Sequence, residues 1–250
     1  MPKNNLKNIF SFNILTNLIL IFALIHKNKS ESYKSNKINL SNEIKIIING
    51  IGPQNILNPE YQTKPDQILV NGNPDNIDDE NKLSNLQNGE NTIIMKWNNK
   101  ITDCSSMFQD LSNIIEIDLS QFDSSEVLTM YKMFNICINL KKIIINKNFD
   151  TSKVTYMEYM FYNCISLESL DLSYFDTSSV NNFEYFLSNC TSLTTLNLSN
   201  FNTSSVLTMA GMFSNCISLV SLDLSNFDTS EVQNMAYLFV NCYSLTSINI

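Results

Sequence analysis

The chain has 250 residues, 44% of them hydrophobic and 16% charged, enough apolar material for a sizeable core and too much for a disordered tail. Its 24 acidic residues outnumber 16 basic ones, all lysine, and no lysine follows Lys153, so the clustered cations of a nucleic-acid surface are missing and no nucleic-acid partner is expected. The single histidine, His26, lies in the leader, which excludes a catalytic triad, an imidazole base or a His-ligated metal site from the folded part.

Residues 1–30 open with Lys3 and Lys7 and reach an apolar run from Leu18 to Ile25. That run is much shorter than the roughly 20 residues of a spanning helix, and reads as a secretory signal peptide with a mature start between Lys27 and Lys37. The flank His26-Lys27-Asn28-Lys29-Ser30 lacks the small residues a signal peptidase prefers, which keeps a signal anchor as the alternative. Membrane contact is expected only through this leader, if it is uncleaved.

From 38 to 100 the material changes: this stretch holds four of the five glycines and four of the five prolines. Apolar runs at Ile44–Ile48, Gln67–Val70 and Thr92–Trp97, bounded by Gly50-Ile51-Gly52, Asn71-Gly72 and Asn88-Gly89, predict a small β-rich N-terminal cap. The acidic run Asp75–Glu80 lacks the glycine and terminal glutamate of a calcium loop and reads as solvated.

Residues 101–250 repeat. Units begin at Ile101, Val127, Val154, Val180, Val206 and Val232, at spacings of 26, 27, 26, 26 and 26, the long one carrying a single insertion between Ile145 and Phe149. A fixed period of that size predicts a solenoid. Val154, Met157, Met160, Phe161 and Cys164 fall on one stripe of a short helix, with the preceding Asp-Thr-Ser as its N-cap. Leu167, Leu170 and Leu172 then switch to the period of a strand. The expected fold class is therefore α/β: a leucine-rich repeat solenoid with one strand and one short helix per 26-residue coil, its last unit incomplete.

Stacking such coils aligns Phe122, Phe149, Phe175, Phe201 and Phe227 in one core column and Phe108, Phe134, Phe161, Phe213 and Phe239 in another, with Phe186 and Leu187 inverted in the fourth unit. Cys137, Cys164, Cys190, Cys216 and Cys242 recur at the coil period, which is not metal-ligand spacing, and parallel Cβ vectors one coil apart disfavour disulfides, so buried free thiols are expected. Cys104 is out of phase, at a methionine position.

The unit M-x-x-M-F-x-x-C-x-x-L followed by L-x-L-S-x-F-D-T-S resembles the BspA-like leucine-rich repeat surface proteins, including the lipoprotein-associated repeats of mycoplasmas and their expanded protist versions. The resemblance covers 101–250. It implies a secreted or surface-displayed solenoid for adhesion or protein recognition, with no catalytic residues to transfer and no cofactor.

On the strand face the outward central column runs Asp118, Asp171, Asn197, Asp223 and Asn249, interrupted by Ile144, and is the candidate contact site for a protein or glycan partner. Asn39, Asn197 and Asn202 head candidate N-glycosylation sequons. The expected function is non-catalytic recognition or adhesion, secreted or at the cell surface; an intracellular structural scaffold is the alternative. Because the last unit stops at Ile250 within its strand motif, either a longer parent chain or end-to-end self-association is expected.

Overall fold

The computed structural model describes residues 40–250; the leader and Asn39 lie outside the described residues. Six strands precede the repeats: β1 (Glu43–Asn49), β2 (Gly52–Asn55), β3 (Gln67–Val70), β4 (Asn73–Asp75), β5 (Lys82–Leu86) and β6 (Glu90–Lys96). One strand follows in each coil: β7 (Ile114–Asp118), β8 (Lys142–Ile144), β9 (Ser169–Asp171), β10 (Thr195–Asn197), β11 (Ser221–Asp223) and β12 (Ser247–Asn249). Strand β1 alternates buried and half-buried residues, placing Ile44, Ile46 and Ile48 in the core. It pairs antiparallel with β6 on one side and with β7 on the other, so the first coil continues the sheet order β4-β3-β6-β1-β7-β8. Asn71 and Gly72, both at positive φ, turn β3 into β4.

The expectation of an α/β fold with a helix in every coil is wrong. Among the described residues there is no helix, and the strands form small open sheets. Backbone commitments in the third coil show why. The amides of Met160, Tyr162 and Cys164 donate to carbonyls three residues back, at 3.3, 3.1 and 3.2 Å, each closing a single turn. Those of Tyr159, Phe161 and Asn163 donate instead to Glu184, Phe186 and Ser188 of the next coil, at 3.0, 2.9 and 2.9 Å. An α-helix needs every one of these amides for the carbonyl four residues back. Tyr159 and Asn163 also sit at φ 57° and 59°, a left-handed conformation that a right-handed helix excludes. The equivalent two positions are left-handed in every coil, from Ser106 and Asp110 to Tyr237 and Asn241. A chain of turns stepping by three residues buries Val154, Met157, Met160 and Cys164 as a helical stripe would, so apolar period alone cannot separate the two.

The Asp-Thr-Ser segment is likewise no helix cap. Thr177 is fully buried, and its hydroxyl donates to the Asn202 carbonyl at 2.9 Å while accepting the Asn202 amide at 2.8 Å. Thr151 and Thr203 bridge to Asp176 and Asp228 in the same way. The preceding Asp or Asn closes a local turn, as Asp176 does with the amide and hydroxyl of Ser178 at 3.0 and 2.6 Å. In the first coil the equivalent residue is Ser124, whose buried hydroxyl has no partner.

The core runs through the stack. Phe134 stacks on Phe108 and on Phe161 at ring separations of 5.7 and 5.4 Å, and Phe149 packs on Phe175 at 5.6 Å. Phe183, at the place filled elsewhere by methionine or Cys104, stacks on Phe201 at 5.4 Å. Among the described residues no helix is long and apolar enough to cross a membrane.

Candidate functional site

The strand-face column is brought together in part. Asn197 lies beside Asp171 in the parallel β9–β10 pair, and Asn249 lies beside Asp223 in β11–β12, its amide donating to the Asp223 carboxylate at 3.1 Å. Asp118 belongs to the sheet shared with β1, and its neighbour in β8 is Ile144. Each of the first four in chain order already has work inside its own coil. Asp118, Asp171, Asn197 and Asp223 accept the backbone amide two residues on, from Ser120, Ser173, Ser199 and Ser225, at 2.8, 3.0, 3.1 and 2.9 Å. These bonds end the strand and start the following turn. The Ser225 hydroxyl and amide and the Asn249 side chain hold the Asp223 carboxyl below the usual carboxylate range.

Asn197 and Asn202 are exposed, and Asn202 also accepts the amide and hydroxyl of Ser204 at 3.1 and 2.8 Å. Cys137 to Cys216 are buried, and each thiol from Cys137 to Cys242 donates to a carbonyl of the preceding coil at 3.0 to 3.3 Å. Burial pushes these thiols, and that of Cys104, above their ordinary range, the opposite of what a reactive cysteine requires. Among the described residues no group of three or more His, Cys, Asp or Glu is placed to hold a metal ion.

The turn side of the coils carries a feature that reading the segment as a helix obscured. Tyr159 and Tyr185, one coil apart, stack with ring centroids 5.2 Å apart and planes at 23°. Tyr131 and Tyr162 meet the Tyr159 ring edge-on, at 6.4 and 5.7 Å, and Tyr162 also meets Tyr185 at 6.3 Å. Beyond Tyr185 the same column holds Gly211, the only glycine of the repeats; a Cβ there would lie 2.5 Å from the Tyr185 ring. Glycine thus satisfies a positive φ and leaves room for the ring. Before Tyr159 the column holds Lys132, whose Nζ lies 4.9 Å from the Tyr131 ring centroid and 5.7 Å from that of Tyr159.

Two carboxyls accompany the rings. Glu184 accepts from the Tyr159 hydroxyl at 3.4 Å. Glu158 is nine-tenths buried, and its Oε2 has no hydrogen-bond partner. Its burial, with the nearby Glu184 charge, pushes its carboxyl above the ordinary value, against the pull of backbone amides and Asn182. The signal was present in the sequence as tyrosines recurring at the coil period, at 159, 185 and 237.

The family model described as Mycoplasma protein of unknown function, DUF285, matches residues 79–195 and 165–249. These segments span more than half of the chain, and the chain belongs to that family. No curated protein and no solved structure matches it.

Proposed function

We propose that this is a non-catalytic recognition protein, secreted or held at the cell surface, of the BspA-like leucine-rich kind, whose coil is built from a strand and turns. Its contact surface is the tyrosine cluster on the turn side. The observation that carries this reading is that four tyrosine rings from three successive coils gather outside the core, half-buried or exposed. Tyrosine supplies large contact area at low entropic cost and is enriched among binding hot spots, whereas the strand-face column offers short polar side chains already engaged by their own turns. The partner is a protein or a glycan.

Two measurements test the reading. Antibody should label intact, unpermeabilised cells that express the chain, and beads coated with the full chain should adhere to intact cells. The double substitution Tyr131→Leu/Tyr159→Leu should abolish that adhesion, while Asp171→Ala/Asp223→Ala on the strand face should leave it. Recovery of the chain solely from the cytosol would favour the intracellular scaffold instead.

A further inference from the structure

The tyrosine cluster has a chemical preference built into it. One column reads, coil by coil, Lys132, Tyr159, Tyr185, Gly211: an ammonium, two stacked rings and a glycine that accommodates the second ring. Lys132 shows what the ring faces accept, since its ammonium lies within cation–π range of both Tyr131 and Tyr159. Beside the rings, the Tyr159 hydroxyl is bonded to Glu184, and the unpartnered Glu158 oxygen belongs to the same coil as Tyr159. Of the eight acidic side chains from residue 154 to 250, a stretch with no basic one, Glu158 and Glu184 fall in the turn-side segments. The cluster is therefore aromatic with the Glu184 carboxylate beside it, and Lys132 is the one cation among the cluster residues named.

Resting on the recognition reading above, we propose that the cluster docks a lysine-rich polypeptide segment, one of whose ammonium groups takes the seat between Tyr131 and Tyr159 that Lys132 occupies in the free protein. An adjacent lysine of the segment then meets the Glu184 carboxylate. Lys132 is an intramolecular competitor, present at high effective concentration, that the partner displaces. The rings supply selectivity for a cation over a neutral chain, and Glu184 with the chain's net charge of -8 supplies attraction that salt weakens.

Fluorescence anisotropy of a labelled octalysine peptide, titrated with the full chain at low and high salt, tests this. The wild-type chain should bind octalysine and not octaglutamate. Tyr131→Leu/Tyr159→Leu, which leaves the net charge unchanged, should weaken binding by about tenfold or more. Tyr159→Phe, which keeps the ring, should retain it. Lys132→Met should tighten binding by roughly threefold or more by vacating the seat, a gain that misfolding cannot produce. Lys153→Met removes the same charge from an ion pair with Glu126 and should have a smaller effect. No binding of octalysine, or binding indifferent to the tyrosines and to Lys132, overturns the proposal. If bead adhesion still depends on Tyr131 and Tyr159 but octalysine does not compete for it, the recognition reading stands and the cationic partner falls. If adhesion ignores the tyrosines, both fall.

Discussion

The two sides of each coil are held to their neighbours differently. On the turn side every adjacent pair of coils shares a run of backbone hydrogen bonds: Cys104, Ser106, Phe108 and Asp110 donate to the second coil, and Met209, Gly211, Phe213 and Asn215 donate to the sixth. On the strand side the parallel ladder exists only in pairs, β7 with β8, β9 with β10 and β11 with β12. The extra residue between Ile145 and Phe149 falls at one of the interruptions, between β8 and β9. The difference teaches that cohesion between coils resides in the turns and their buried methionine, phenylalanine and cysteine columns. The strand side tolerates an insertion because less depends on its register.

The strongest way to break that comparison is to cut the core on each side. Phe161 is fully buried between Phe134 and Phe186, with ring separations of 5.4 and 5.3 Å, and Phe161→Ala should cost about 3–5 kcal/mol. Leu196 on β10 is only half-buried, and Leu196→Ala should cost less than about 2 kcal/mol. Denaturant titrations of the two variants should separate clearly. Equal losses would mean that the strand side carries as much cohesion as the turns.

The corner joining the sides is tested by Thr177→Val, which keeps the side-chain shape and deletes the hydroxyl. The amide and carbonyl of Asn202 then lose their partner beside a buried site, at a cost of about 1–3 kcal/mol. Within the turns, Ile136 is the misfit: a β-branched residue at φ 60°, where four other coils place asparagine. Ile136→Asn should raise stability by roughly 1 kcal/mol, and an unchanged or lower midpoint would deny that the left-handed step is needed there.

The period and the buried columns were legible because burial repeats with the chain and leaves its mark on residue type. The helix was misread because turns stepping by three and a helix bury the same residues, Met157, Met160 and Cys164 among them. What separates them is the destination of the amides, which no side chain reports directly. One residue does report it: Asn163, Asn189, Asn215 and Asn241, each just before a cysteine, are left-handed, and asparagine is among the few residues that tolerate that conformation. The threonine of Phe-Asp-Thr-Ser reads as a cap because a bridge to the next coil has no local signature. The tyrosine cluster has no local signature for a related reason: its rings come from three coils, and Gly211 looks like a breaker in a sequence that does not show Tyr185 lying against it.

The smallest expected effect sharpens the comparison through pH. Glu158 on the turn side is buried beside Asn182 and Glu184, and burial raises its carboxyl above the ordinary value of 4.5. The folded chain then holds a proton that the unfolded chain has released. Stability from this group therefore falls as pH rises from about the ordinary carboxyl value through the folded one, and is level beyond it. Asp223 on the strand side behaves oppositely: its carboxyl is held low by Ser225 and Asn249, so its contribution is present above the ordinary value and lost as pH falls through the folded one. Thermal melts across pH 3 to 8, spanning roughly a carboxyl's range on either side, should show Glu158→Gln removing a decline of stability toward neutral pH. Asp223→Asn should remove a smaller decline toward acid, since that side chain is exposed and screened. Parallel curves for wild type and Glu158→Gln would show that Glu158 titrates normally, leaving the turn side with no proton retained by burial to distinguish it.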